Sequence, residues 1–428
     1  MIVTMPRALE IRTLKPRGEF PDLFPRLARL LADAYPIMRL TTGDALATYA
    51  EQLRTSLNQP GTRWVVAERD GALLGAMRLY DYEMNVRGRD ALTGGVGSVA
   101  VSARHKRQGI ARAMIAWYLE DYRSRGAPFA VLHPFRPDFY RALGFGYGTP
   151  VHRYRFAPAT LRDEGARGAI RFLDESDLDA LHACSERVRR TTNGLIAKRR
   201  AATERALGDP ALRYVAVEDG GALRAFMQTS VRVGSDDQRN RDELIVRDLA
   251  YEDDAHLAAL LGHLRAQRDQ FVRIVVESQD EAFYLAATDP RDGSDEAVSV
   301  PATHRVATMG LGVMYRILDL ERAFEHLPAT AATFTLRVTA EDALLPPAGG
   351  TRTFRFGPHG PPQPAGAPAG ADATLTIGTA DLASIVMGSL GLRDAVRHRL
   401  ATLEPREGLD QLDAALRADR PPVCTTRF

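Results

Sequence analysis

Short apolar, β-branched runs separated by turn residues alternate with helical patterns along the chain, and one such run occurs twice. Arg63-Trp-Val-Val-Ala-Glu-Arg-Asp-Gly-Ala-Leu recurs as Arg213-Tyr-Val-Ala-Val-Glu-Asp-Gly-Gly-Ala-Leu, an offset of 150 residues, and Met77 is matched by Met227. Each copy predicts a strand, a two-residue turn (Asp70-Gly71 or Gly220-Gly221) and a second strand, because glycine accepts the positive φ of a tight hairpin. Ser98-Val-Ala-Val and Asp248-Leu-Ala-Tyr predict further strands at the same offset, each leading into a helical pattern. Preserved spacing over two separate segments points to a duplicated fold.

A third region follows Met314-Tyr-Arg-Ile-Leu-Asp-Leu, with alternation at Phe334, Leu336 and Val338 and a strand from Thr351 to Phe356. The Pro/Gly/Ala-rich stretch Gly357 to Ala371 reads as an exposed loop. After it come a strand, Ala373 to Ile377, and an apolar helix from about Thr379, whose hydroxyl is expected to cap free N–H groups. The expected domains are 1–150, 151–305 and 306–428.

Length and composition agree with several cores. The 428 residues exceed what one ordinary domain holds, and 45% apolar with 26% charged residues is the balance of a globular chain. The 56 Lys and Arg against 54 Asp and Glu give a net charge of +2, which provides no global field for nucleic acid or an anionic membrane. Two cysteines, Cys184 and Cys424, exclude a disulfide framework and a zinc cluster, so no metal is expected. Met1 to Glu10 lacks the apolar core of a leader, and no stretch approaches the roughly 18 apolar residues of a membrane span. A cytoplasmic location is expected.

The positive charge gathers in one turn. Val99-Ala-Val-Ser-Ala-Arg-His-Lys-Arg-Gln-Gly-Ile-Ala-Arg runs from a strand through a basic turn into a helix. Ile110, Met114, Trp117 and Tyr118 recur at helical spacing, and Gly126 supplies a left-handed stop. At the helix start Gly109 leaves room for a ligand, and unpaired N–H groups form an anion site ringed by Arg104, His105, Lys106, Arg107 and Arg112.

This segment resembles the pyrophosphate loop of the GCN5-related N-acetyltransferases, Arg/Gln-x-x-Gly-x-Gly/Ala, read here as Lys106-Arg107-Gln108-Gly109-Ile110-Ala111. Lys106 departs from the usual first residue. Phe139-Tyr-Arg-Ala-Leu-Gly-Phe-Gly-Tyr matches the family's closing helix and strand. In the second copy Gly109 becomes Ala259, and Glu252, Asp253 and Asp254 stand together, so repulsion disfavours a pyrophosphate there.

Across its full length the chain resembles the Eis (enhanced intracellular survival) family of bacterial acetyltransferases. The likeness rests on Ser98 to Val101, His105 to Gly109, Leu132-His133, Tyr140, Phe145-Gly-Tyr-Gly148 and the tail Val423-Cys-Thr-Thr-Arg-Phe428. It implies an α/β (α+β) chain of two tandem GNAT-fold domains with mixed central sheets, followed by a sterol-carrier-protein-like (SCP2-like) domain. The first copy would bind acetyl-CoA through the strand backbone of Val99, Ala100 and Val101 and through the loop Lys106, Arg107, Gln108, Gly109, Ile110, Ala111 and Arg112. The resemblance also implies a small-molecule or peptide amine substrate, aminoglycoside-like or lysine-type, and a homo-oligomer, either a trimer or a hexamer built of trimers.

Acetylating an alkylammonium with a pKa near 10.4 costs about 4–5 kcal/mol at pH 7 to free the amine, so a base is required. Strand Gly97 to Val101 has no carboxylate where many acetyltransferases of this fold carry a Glu. Asp81 and Glu83 share one strand face and are candidates. The Eis resemblance implies another answer: the carboxylate of Phe428 as general base and Tyr140 as general acid. Arg427 stands where relatives can have an acidic residue, which predicts weaker binding of polycations. Substrate selection is expected from loops around residues 33–40 and 81–93. The competing reading is a non-enzymatic carrier of lipid or another small molecule, using the apolar stripe Leu382, Ile385, Val386 and Met387.

Overall fold

The structure, a computed structural model, describes residues 8–15, 22–162, 170–234, 242–294, 296–299, 303–366 and 370–428. Most of the Met1 to Glu10 segment and residues 367–369 of the Pro/Gly/Ala stretch therefore lie outside the described residues. The chain opens with β1 (Glu10–Thr13), α1 (Leu23–Ala34), α2 (Gly43–Ser56), β2 (Thr62–Arg69), β3 (Ala72–Val86) and β4 (Arg89–Val101). Next come α3 (Ile110–Ser124), β5 (Phe129–Leu132), α4 (Pro137–Arg141), β6 (Gly146–Tyr147) and β7 (Val151–Phe156). The order then repeats with β8 (Ile170–Leu173), α5 (Leu178–Thr191), α6 (Arg200–Leu207), β9 (Arg213–Asp219), β10 (Ala222–Arg232) and β11 (Glu243–Tyr251). It continues through α7 (Asp254–Ala266), β12 (Arg273–Ser278), a small hairpin of β13 (Ala297–Ser299) and β14 (Thr303–His304), then β15 (Ala307–Gly310) and β16 (Met314–Ile317). The last stretch holds α8 (Leu320–Phe324), β17 (Phe334–Glu341), β18 (Gly350–Phe356), β19 (Gln363–Pro364), β20 (Ala373–Gly378), α9 (Thr379–Met387), α10 (Leu392–Arg397), β21 (Ala401–Glu404) and α11 (Leu409–Leu416).

The duplicated hairpins form as the sequence predicts. Asp70 and Gly71 have φ of 52° and 74°, and Gly220 and Gly221 have 59° and 74°, so both turns place two residues in the left-handed region that matches strand twist. The segment 81–93, expected as a loop, is instead the far end of the β3–β4 hairpin, with its turn at Arg87-Gly88. Alternation of Tyr80, Tyr82 and Met84 with polar neighbours carries the strand through to Val86.

Two compact units are present: Met1–Gly148 with Val313–Arg420 and Phe428, and Thr149–Gly312 with Pro421–Arg427. The first unit holds a sheet ordered β1-β2-β3-β4-β5-β16-β6, and the second holds β8-β9-β10-β11-β12-β7-β15. The sixth place of each sheet is filled out of turn. The first sheet takes β16, which lies beyond the whole second copy, and the second takes β7, which precedes that copy. The first sheet is therefore completed only from beyond the second copy, whereas all strands of the second come from the contiguous stretch 151–310.

In the first unit the sheet is covered on both faces, which explains its apolar runs. Val65, Met77 and Leu79 pack with Ile110, Met114, Tyr118 and Tyr122 of α3 on one face. Trp64, Val66, Ala76 and Ala100 pack with Leu27 and Leu31 of α1 on the other, and the indole N–H of Trp64 donates to Ser56 Oγ at 2.8 Å.

The same unit contains the sheet β19-β18-β17-β20-β21. All nine residues of α9 are buried. Thr379 is the first residue inside that helix, and its hydroxyl donates to the Glu341 carbonyl at 3.2 Å instead of capping the helix. Arg87, at the β3–β4 turn, donates to the carbonyls of Ile385 and Val386 at the end of α9 and of Leu416 and Arg417 at the end of α11. A cation at two helix C-termini satisfies carbonyls that each helix leaves unpaired.

Candidate active site

Strand β4 builds the site. It pairs in parallel with β5 from Thr93 opposite Phe129 to Val96 opposite Leu132, and beyond that point β5 ends while β4 runs on to Val101. On the other side β4 stays paired to β3, with a register shift between Ala76 and Arg78 and Ser98 at φ 50°. That irregularity turns the strand where its second edge comes free. The edge presents alternate N–H and C=O groups of Val99 and Val101, and the hydroxyl of Tyr35, just after α1, donates to the Val99 carbonyl at 2.9 Å.

The basic turn follows directly. Residues Ala103–His105 form one 3-10 turn, Arg107 has φ 64° and Gly109 φ 78°, and α3 begins at Ile110. No side chain caps α3, and a Cβ placed on Gly109 would meet no protein atom within 4 Å. The helix start therefore opens onto free space with its N–H groups uncovered, the arrangement that binds an anion. Arg104, Lys106, Arg107, Gln108 and Arg112 are exposed around it. The helix cannot shift easily, since Ile110, Met114, Ile115, Tyr118, Leu119 and Tyr122 are all buried.

Phe428 belongs to the first unit, whereas Pro421–Arg427 belong to the second. Its ring meets those of Tyr80 at 5.7 Å, Tyr82 at 5.1 Å and His133 at 4.8 Å. Its carboxyl carbon lies 3.0 Å from where a Cβ on Gly97 would stand. The Phe428 carboxyl group thus lies over the strand that carries no carboxylate between Gly97 and Val101. The glycine-rich run Gly94-Gly95-Val96-Gly97, poor in strand propensity, has this use: Tyr122 packs over Gly94, Tyr82 over Gly95 and Phe428 over Gly97.

Tyr140 lies on α4, is 7% exposed, and packs edge-on against Phe139 and Phe145. Burial, with a smaller contribution from Tyr35, pushes its phenol up to about 12. Tyr35 is itself pushed up to about 12 by burial and by Tyr49 and Tyr80, so phenols converge on the free end of β4.

Asp81 is otherwise engaged. It accepts from the Tyr122 hydroxyl at 2.6 Å and from both ends of Arg125 at 2.8 Å. Burial alone would raise its carboxyl, but these bonds and the charges of Arg125 and Arg63 outweigh it and hold the group below the usual carboxylate range. A carboxylate so stabilised is a poor proton acceptor. Glu83 is exposed on the same strand face.

In the second unit β11 pairs with β12 only as far as Val246 opposite Val276, repeating the divergence. There the helix start is closed: Asp253 caps α7 by accepting from the His256 N–H at 2.9 Å. The sequence signal for Asp253 was present as acidity; that for Gly97, Tyr35, Tyr80 and Tyr82 was only a glycine-rich strand beside tyrosines.

Acetyltransferase (GNAT) domain models match residues 20–148 and 189–317, and a sterol carrier protein domain model matches residues 320–425. An uncharacterized N-acetyltransferase of Streptomyces coelicolor is 30% identical over 245 residues, which is 53% of this chain and 59% of that protein. The N-acetyltransferase Eis of Mycobacterium tuberculosis is 37% identical over 97 residues, 21% of this chain and 24% of that protein. The chain thus spans about three fifths of the first relative and a quarter of the second. The crystal structure of Eis1 from Mycobacterium abscessus superposes with a TM-score of 0.76 over 98% of this chain and 100% of that one at 21% identity, a likeness of fold. Among the described residues no group of acidic, His or Cys side chains is arranged to hold a metal ion, and no helix is long and apolar enough to cross a membrane.

Proposed function

The chain belongs to the Eis-like GNAT family of acyltransferases, two GNAT domains followed by an SCP2-like domain, and we propose that it is an acetyl-CoA-dependent N-acetyltransferase of primary amines, with the reaction in the first GNAT domain. The observation that carries this reading is the Phe428 carboxyl group seated over Gly97, at the point where β4 and β5 diverge.

The open α3 terminus and the space above Gly109 fit the pyrophosphate of coenzyme A, with Lys106, Arg107, Gln108, Ile110, Ala111 and Arg112 around it. The free edge of Val99, Ala100 and Val101 fits the amide-bearing arm. When bound, the coenzyme supplies an activated acetyl group and a thiolate leaving group, which departs as the amine nitrogen bonds to the acetyl carbon and then takes its proton from solvent.

The Phe428 carboxylate takes the proton that the amine loses. Its rings of contact, Tyr80, Tyr82 and His133, limit its hydration and so favour proton uptake. Tyr140 has a narrower task than full proton transfer. At about 12 its phenol lies roughly 3.5 units above a thiol near 8.5, so giving up its proton outright costs about 5 kcal/mol. It therefore keeps the proton and donates a hydrogen bond to sulfur, a charge-assisted contact that strengthens as negative charge develops. No other residue accepts from its hydroxyl among the described residues, which leaves the donor available.

The carrier reading has less support. Leu382, Ile385, Val386 and Met387 are each 1% exposed or less and packed as core. The amine is expected to be a small molecule or a peptide side chain. An amine panel, including aminoglycosides and lysine derivatives, incubated with acetyl-CoA and monitored for free thiol tests the proposal: amine-dependent thiol release is expected, and extractable lipid with no such release would reverse it.

A further inference from the structure

Pro421 to Phe428 has no regular secondary structure, and a chain end of that kind ordinarily frays. Here Pro422, Val423, Cys424 and Arg427 are each held by hydrogen bonds within the second unit. The Pro422 carbonyl accepts from Thr149 Oγ1 at 2.6 Å, the Val423 N–H donates to the Asn193 carbonyl at 2.7 Å, and the Cys424 N–H donates to Gln279 Oε1 at 2.6 Å. Arg427 donates to Glu277 Oε2 at 2.7 Å. Gln279 is fixed from its other end, where Nε2 donates to the Thr149 carbonyl at 2.9 Å. On the opposite side Gly194, at φ 87°, lets the tail approach so closely that a Cβ would stand 2.7 Å from Pro422 and 2.8 Å from the Val423 nitrogen.

The place is informative. In the first unit the residues after α1 and after β5 face the site: Tyr35 donates to Val99 of β4, and the ring of His133 packs on Phe428. In the second unit the corresponding positions, Asn193 and Gly194 after α5 and Glu277 with Gln279 at the end of β12, hold the tail. Cys424 is buried there, its thiol pushed up to about 11 by burial, within the influence of Lys198, which is ion-paired to Asp248 on β11. In the second copy these positions are thus occupied by contacts to the segment 421–427.

We propose that the second copy is a clamp that positions the terminal residue, with Gln279 as the central positioning residue and Thr149 and Gly194 supporting it. This rests on the reading of Phe428 as base. Gln279 acts on catalysis only through the four peptide bonds between Cys424 and Phe428, a role that a copy with a closed phosphate site can fill. It also accounts for Arg427: its guanidinium is held by Glu277, which also binds Arg153, so the charge is drawn to the tail's own anchor.

The test uses the full chain with Gln279→Ala, Thr149→Val, deletion of Phe428, and the deletion combined with Gln279→Ala. Timed digestion with a carboxypeptidase that removes aromatic termini reads the clamp directly, and turnover of kanamycin or Nα-acetyl-lysine amide with acetyl-CoA reads its consequence. Gln279→Ala is expected to release Phe428 about tenfold faster and to lower kcat, at unchanged KM for acetyl-CoA, because small displacements of a reacting group cost up to about 10²-fold. Thr149→Val, which keeps its backbone carbonyl and its shape, should do the same more weakly. The combined variant should be no slower than the deletion alone, since Gln279 has nothing left to position. Unchanged protection and rate in both Gln279→Ala and Thr149→Val, with a dead deletion variant, would overturn the clamp and leave the base intact. Full turnover by the deletion variant would overturn both.

Discussion

The carboxyl carbon of Phe428 lies 3.0 Å from the point where a side chain on Gly97 would begin, so the vacancy at Gly97 and the position of Phe428 define each other. Gly97→Ala puts a methyl group into that contact. The neighbour must give by a few tenths of an ångström, and the expected result is a fall in kcat of about tenfold with little change in acetyl-CoA affinity. Steady-state kinetics checks this, and Gly97→Val should be worse.

Tyr140→Phe removes the phenolic donor while keeping the ring against Phe139 and Phe145. A loss of kcat of about 10–10²-fold is expected. Because burial pushes the phenol up to about 12, it is protonated on both sides of neutrality, and raising pH from 7 to 10 does not ionise it. The ratio of wild-type to variant kcat should therefore stay flat across that range. A ratio that collapses as pH approaches 10 would mean an ordinary phenol titrates.

Lys106→Glu with Arg107→Glu reverses two charges beside the open start of α3. The KM for acetyl-CoA should rise about tenfold or more and become less sensitive to salt, with kcat at saturation little altered. Both side chains are exposed, so thermal stability should barely move.

The structure was legible in sequence where the determinants are local. Asp70-Gly71 and Gly220-Gly221 specify their turns, and Ile110, Met114 and Tyr118 specify the buried face of α3. The placement of β7 and β16 was not, because Val151–Phe156 and Met314–Ile317 carry apolar patterns that suit either sheet, and the choice depends on packing across the whole chain. Thr379 was misread for a related reason: a hydroxyl at a helix start caps unless a nearer acceptor, here the Glu341 carbonyl, takes it. The role of Phe428 was expected only from the family resemblance, because the local signal of its seat is no more than glycines in a strand, whose partner lies at the far end of the sequence.

Arg87→Met tests the junction within the first unit. Its guanidinium serves four carbonyls at the ends of α9 and α11, and burial lowers its pKa to about 10 while Asp419 opposes that shift. Leaving those carbonyls without a donor should cost at least about 3 kcal/mol. Denaturant unfolding of the variant should show a lower midpoint, and Arg87→Lys should recover only part of it, because a single ammonium cannot span both helix ends.

The most direct measurement of the central claim is kcat after one glycine is appended to Phe428. The added residue keeps the ring but moves the carboxylate off Gly97 and leaves an amide in its place. A fall of about 10²-fold or more in kcat, with acetyl-CoA affinity unchanged, is the predicted result. Undiminished turnover at the same coenzyme affinity would contradict the account.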